Sequence, residues 1–209
     1  MERRNLLAAL AATGLIAPGA AASATSGTAC SEGDDMLIRC SVGFSDLPPI
    51  PAQPCRALCW ATCLAYILRG YGATVTEADV LAWHGLDGTC GPHSDRSRIM
   101  ASAGHWTDQA GREFLVAVSS LAGIDQWYVT DPRFPDLLDR LHRQPVLCGA
   151  AGHATVLTEL RTSGDRFGRI WRDGARVLDP HAPTRGERDL TEAELERPGY
   201  VLGIAIRPA

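Results

Sequence analysis

The stretch CWATCLAYILRG, Cys59 to Gly70, constrains the fold more than any other part of the chain. It is rich in good helix formers and poor in polar groups, and Gly70 and Gly72 stand at its end as stop signals. A helix so apolar belongs inside a domain, with other elements built around it. Cys59 then lies in its first turn, where unpaired N–H groups and the macrodipole favour the thiolate. That makes Cys59 the candidate nucleophile. Gln53, six residues upstream, carries a side-chain amide that can join the Cys59 backbone N–H as a donor to a developing oxyanion.

Around this helix the chain reads as helical first and β-rich afterwards. Thr76-Glu77-Ala78-Asp79 is a capping-box pattern that opens a short helix through Trp83. A loop of Gly85, Gly88, Gly91 and Pro92 follows, then apolar helical segments over Asp95 to Ala103 and Thr107 to Leu121. Gln126 to Thr130 reads as a strand, Pro135 to Arg143 as a short helix with Leu137, Leu138 and Leu141 on one face, and Pro145 to Gly149 as another strand. From His153 onward HATVLTEL, FGRIWRD, RVLDP and YVLGIAIR are β-type runs, separated by turn signals such as Ser163-Gly164-Asp165 and Asp173-Gly174. A second capping box at Thr191 to Glu194 marks a short helix before the last strand. The order predicts an α+β fold, a helical N-terminal half packed on an antiparallel β-sheet C-terminal half.

A thiol nucleophile needs a base. His153 follows the small residues Gly149-Ala150-Ala151-Gly152, which let backbone come close, and precedes an apolar strand that would fix its ring. His84, His93, His105 and His142 stand in polar or turn-like settings for which surface or loop roles suffice. The base needs an orienting group in turn. The only Asn is Asn5, near the N-terminus, so an acid is expected there. Asp179, closing the strand Arg176-Val177-Leu178 and followed by Pro180, is the first choice and Asp173 the second, with His181 third for a Cys–His–His amidase site. Trp60 is expected to pack in the core between the halves rather than against substrate.

Gln53, Cys59, Trp60 and Ala61 resemble, position for position, the segment of papain-like cysteine peptidases in which a glutamine precedes a Cys-Trp-Ala nucleophile by six residues. Gly152-His153-Ala154 is similar to the setting of the family's histidine. Papain itself orients that histidine with asparagine, whereas some bacterial papain-like peptidases, including bacteriocin-processing types, carry Asp-Pro as Asp179-Pro180 does here. The resemblance implies a papain-like catalytic domain over 51–209, the active site between its two halves, and a thioester acyl-enzyme formed on Cys59. His153 would be base, Asp179 its orienting acid and Gln53 part of the oxyanion hole. It implies a peptide or protein substrate and no cofactor. Rival readings are another thiol acyl-transfer enzyme on the same scaffold, such as a cell-wall amidase or transamidase, and a non-catalytic binding module.

Composition narrows the alternatives. The chain has 209 residues and 45% hydrophobic content, enough for one domain with a core. Its formal net charge of −4 leaves no basic footprint for nucleic acid. Every cationic side chain is Arg or His, with no Lys, which excludes Schiff-base and Ser–Lys chemistry. Residues 1–24 read as a secretory signal peptide, with charges first, then an apolar run, then Ala22-Ser23-Ala24. Arg3-Arg4 is compatible both with a twin-arginine signal and with an ordinary charged n-region. Beyond that run no stretch is long enough to span a membrane, so an exported protein is expected; a monomer is expected too, with 25–50 as an extended linker or short N-terminal segment.

Seven cysteines suit an oxidising compartment, in pairs with one thiol left over. Cys30 with Cys40 and Cys55 with Cys90 are two of the pairings open, and Cys148 reads as a buried thiol. Cys55, Cys59 and Cys63 also recur every four residues, a spacing unlike that of a CxxC metal knuckle.

Overall fold

The structure, a computed structural model, describes residues 25–87, 90, 96–122, 134–181, 183, 186–196 and 199–209. The expected signal peptide and the strand expected at Gln126 to Thr130 lie outside the described residues. The fold is α+β, and every strand pairing among the described residues is antiparallel.

Three short helices follow the entry segment: α1 (Cys59–Gly70), α2 (Glu77–Trp83) and α3 (Arg96–Met100). The capping box at Thr76 is present, with the Asp79 N–H donating to the Thr76 hydroxyl and the Thr76 N–H donating to the Asp79 carboxylate. The strands are β1 (Thr25–Glu32), β2 (Ile38–Ser45), β3 (Gly104–Thr107), β4 (Glu113–Ala122), β5 (Val146–Ala150), β6 (His153–Gly164), β7 (Ile170–Asp179), β8 (Gly186–Asp189) and β9 (Gly199–Pro208). Helices α4 (Phe134–Leu141) and α5 (Glu192–Glu196) complete the set.

The strands form one sheet in the order β1-β2-β6-β5-β9-β4-β3, and β7 pairs with both β6 and β8. Strand β6 is the hub. Its first residues pair with β5, its last with β2, and its other edge carries β7.

Alternation along the central strands sends side chains to both faces of the sheet. Leu147, Val156, Leu178 and Leu202 join the cluster around α1, whereas Val146, Cys148, Leu157, Val177 and Val201 join Leu137 and Leu141 of α4 on the other face. From Cys59 to Leu68 every residue of α1 is buried, as its composition requires. Trp60 is fully buried in this core, edge-on to the His84 ring at 5.1 Å.

Two regions differ from expectation. The segment Thr107 to Leu121, expected to be helical, contains β4, which pairs with β9. Phe114 and Val116 are buried while Leu115 between them is exposed, a period of two rather than a helical one. The first half of the chain is therefore not helical throughout, since β1 to β4 all belong to the sheet. Residues 25–50, expected as an extended linker or short N-terminal segment, contain the β1–β2 hairpin, and β2 lies in register along the end of β6. Cys30 and Cys40 face each other across that hairpin and are disulfide-bonded. A second disulfide joins Cys55 to Cys90, while Cys59, Cys63 and Cys148 are free. No helix among the described residues is long and apolar enough to cross a membrane.

Candidate active site

Cys59 is the first residue of α1. A 3-10 turn, Arg56–Leu58, leads into it, closed by the Leu58 N–H donating to the Cys55 carbonyl at 3.0 Å. The thiol is 2% exposed and accepts a hydrogen bond from the Ala154 N–H at 3.3 Å. The helix start and the β6 backbone therefore both stabilise negative charge on its sulfur.

His153 is delivered by a tight turn. Ala150 and His153 pair across the β5–β6 hairpin, so its loop is only Ala151-Gly152, with φ of 52° and 78°. Positive φ at both positions makes it a type I′ turn, the geometry that matches the twist of the flanking strands. Behind it, Gly149 leaves room for a ring: a Cβ there would lie 2.2 Å from a carbon of Tyr200.

The His153 side chain interacts with the Cys59 thiol and, through Nε2, hydrogen-bonds Asp179 Oδ1 at 2.7 Å. An ionised carboxylate only accepts, so Nε2 carries the hydrogen and Nδ1 is the nitrogen left for Cys59. Asp179, at the end of β7, is buried, and its Oδ1 also accepts the His181 N–H at 2.8 Å.

Gln53 is buried beside this group, its backbone N–H donating to the Pro180 carbonyl at 2.9 Å. Its side-chain amide donates to the Cys55 carbonyl at 3.0 Å, and Oε1 is buried without a partner. Nε2 has a second hydrogen, so this bond leaves one donor uncommitted. The structure thus brings Cys59, His153 and Asp179 together and ties Gln53 to the residue after Asp179. The second choice, Asp173, is elsewhere, accepting from the Ser163 hydroxyl at 2.8 Å. His181, the third, sits edge-on to His153 with ring centres 6.1 Å apart.

No protein-family model, curated protein or solved structure matches this chain. Its chemistry is read from its own geometry.

The electrostatics favour the charged forms of both Cys59 and His153. Burial pushes the Cys59 thiol up, but the His153 hydrogen bond, the Ala154 N–H and the imidazolium charge together bring it below the usual 9.0. Burial likewise disfavours the His153 cation, and the Asp179 and Cys59 contacts override it, raising the imidazole to about 9. Burial works against the Asp179 carboxylate too, yet its bonds from His153, the His181 N–H and Arg188 hold it well below the carboxylate range. The other free thiols go the opposite way. Burial drives Cys63 well above 9.0 and Cys148 up to about 12.

Arg188 and Glu194 complete the site, and sequence reasoning did not find them. Arg188 Nε donates to Asp179 Oδ2 at 2.7 Å, and its two terminal nitrogens fork onto the Glu194 carboxylate at 2.8 Å each. Glu194 Oε2 also accepts the Thr191 N–H at 2.9 Å, so the capping box that starts α5 also holds the arginine. The capping box was visible in the sequence, but the carboxylate's second partner was not. An open cleft of about 700 Å³ runs over His153, Asp179 and Arg188 and is also lined by Arg56, Thr191 and Glu194.

Proposed function

We propose that this chain is an exported papain-like cysteine peptidase working through Cys59, His153 and Asp179. The observation that carries the reading is the continuous chain from a thiol at a helix N-terminus, through an imidazole, to a buried carboxylate. That arrangement activates a nucleophile and stores the proton it has lost. Two disulfides agree with an oxidising compartment, and Cys59 itself is free to react.

In the proposed reaction the Cys59 thiolate attacks a peptide carbonyl carbon, and the carbonyl π pair moves onto oxygen. The Cys59 N–H and the remaining Gln53 amide hydrogen are the donors for that oxyanion. Collapse of the tetrahedral species breaks the C–N bond, and His153 gives its proton to the leaving amine. Water then attacks the thioester with His153 as base, releasing the acid and restoring the thiolate–imidazolium pair.

The test is to incubate mature, non-reduced protein with a peptidyl epoxide, locate the adduct by mass spectrometry, and assay peptide hydrolysis alongside. Adduct confined to Cys59, lost in His153→Ala together with hydrolysis, is the expected result. Absence of any adduct until reductant is added would sink the reading.

A further inference from the structure

We infer that the cleft beside His153 is a subsite for a carboxylate on the leaving-group side of the substrate, and that Arg56 is its cation. The inference rests on the peptidase reading above and names the class of substrate that site would take.

The side of the site follows from the chemistry. His153 must hand its proton to the departing amine, so the departing part of the substrate lies on the imidazole's side. That is where the cleft is, bordered by the Ala151-Gly152 turn, His153 and Asp179.

The sign of the subsite follows from which charged side chain of its lining has no partner among the described residues. Asp179 and Glu194 both bond Arg188, and Asp179 also bonds His153, whose own positive charge is offset by the Cys59 thiolate. Asp189 is paired outside the cleft, with Arg161 at 2.8 Å. Arg56 remains. It is exposed, and no described residue gives it a hydrogen bond or ion pair. Its backbone is also fixed, between the Cys55–Cys90 disulfide and the first turn of α1. A guanidinium on so short a tether, three residues before Cys59, is pre-placed for bidentate recognition of a carboxylate.

The carboxylate has two sources, an Asp or Glu side chain or a free C-terminus, and the test separates them. Its first arm compares Cys59 alkylation by iodoacetate and by neutral iodoacetamide in wild type, Arg56→Ala and Arg56→Glu. The iodoacetate-to-iodoacetamide rate ratio should fall about two- to fivefold in Arg56→Ala and further in Arg56→Glu. Arg166→Glu carries the same charge change on the β6–β7 hairpin, a strand length away from His153, and should leave the ratio as it is.

The second arm measures cleavage of three peptides that differ after the scissile bond: Glu with an amidated end, Gln with a free C-terminus, and Gln with an amidated end. Preference for either acid over the neutral peptide should be about tenfold in kcat/KM, should vanish in Arg56→Ala, and names the source. A ratio that depends on Arg56 without any cleavage keeps the anion subsite and sinks the peptidase reading. Cleavage with a ratio and a preference indifferent to Arg56 keeps the peptidase and overturns the subsite.

Discussion

Arg188 grips the Asp179 carboxylate opposite His153, its Nε on Oδ2 at 2.7 Å while the imidazole holds Oδ1 at 2.7 Å. The carboxylate that holds the imidazole is therefore itself held, and the arginine is anchored in turn by Glu194. A buried carboxylate clamped from both sides cannot rotate away when the imidazole gains or loses its proton.

Arg188→Leu should cost about 2–4 kcal/mol in denaturant unfolding at neutral pH, because it leaves two carboxylates short of their counter-charge. The sign of the pH dependence is fixed. Asp179 is depressed in the fold, so its contribution is present above the unfolded value of about 3.8 and lost as pH falls through the folded one. Wild type and variant should therefore converge in acid. Arg188→Lys keeps the charge but not the fork, and should fall between them. A Leu variant as stable as wild type at neutral pH would contradict the clamp.

The proposed thiolate–imidazolium pair sets the pH profile expected for alkylation. Iodoacetamide should react with Cys59 at a near-constant rate from the depressed pKa of the thiol up to about 9, where His153 deprotonates. In His153→Ala burial is the first influence left on the thiol, so the rise in rate should move above 9.0. Cys63 and Cys148, fully buried and raised, should stay unlabelled until the protein unfolds. Stopped-time labelling with peptide mapping reads all three thiols at once.

The legible parts of this chain were local. The α1 composition, the two capping boxes and the Gly-rich run before His153 each specify their structure within a few residues, and each is present. What escaped was decided by distant partners. EFLVAVSSLA fits a helix or a strand by composition, and pairing with β9 decides the matter. TSGTACSE looked like linker because its side chains are small and polar. It is held as a strand by ladder bonds to β2 and by the Cys30–Cys40 bridge, not by a core-facing stripe. Arg188 was invisible for the same reason, since nothing near it in sequence announces a contact with the end of β7.

Gly149, on the strand that leads to the His153 turn, has no room for a side chain. Its missing side chain is filled by the Tyr200 ring, with carbons at 2.2, 2.4 and 2.7 Å from where a Cβ would stand. Gly149→Ala must push Tyr200 aside in the paired strand β9 and should destabilise by about 1–3 kcal/mol. Because the residue lies on the strand that leads into the His153 turn, epoxide labelling of Cys59 should slow as well. Tyr200→Ala in the same chain should restore part of both losses by making room. Independent, additive losses in the double variant would mean the two residues do not compete for space.

Ala151 holds an αL conformation, φ 52°, that a non-glycine residue adopts at a cost of roughly 1–2 kcal/mol. Asparagine tolerates it, and Asn-Gly is the favoured pair for a type I′ turn. Ala151→Asn should therefore raise stability by about 1 kcal/mol, whereas Ala151→Val, branched at Cβ, should lower it by at least as much. Both are read from denaturant midpoints at constant m-value. The side chain is exposed at the mouth of the cleft, so the Asn variant tests the turn without disturbing the core. If the strain at Ala151 serves to hold His153 against Cys59, the relieved turn will be more stable but alkylate more slowly. If it is incidental, stability will rise and the labelling rate will stay where it was.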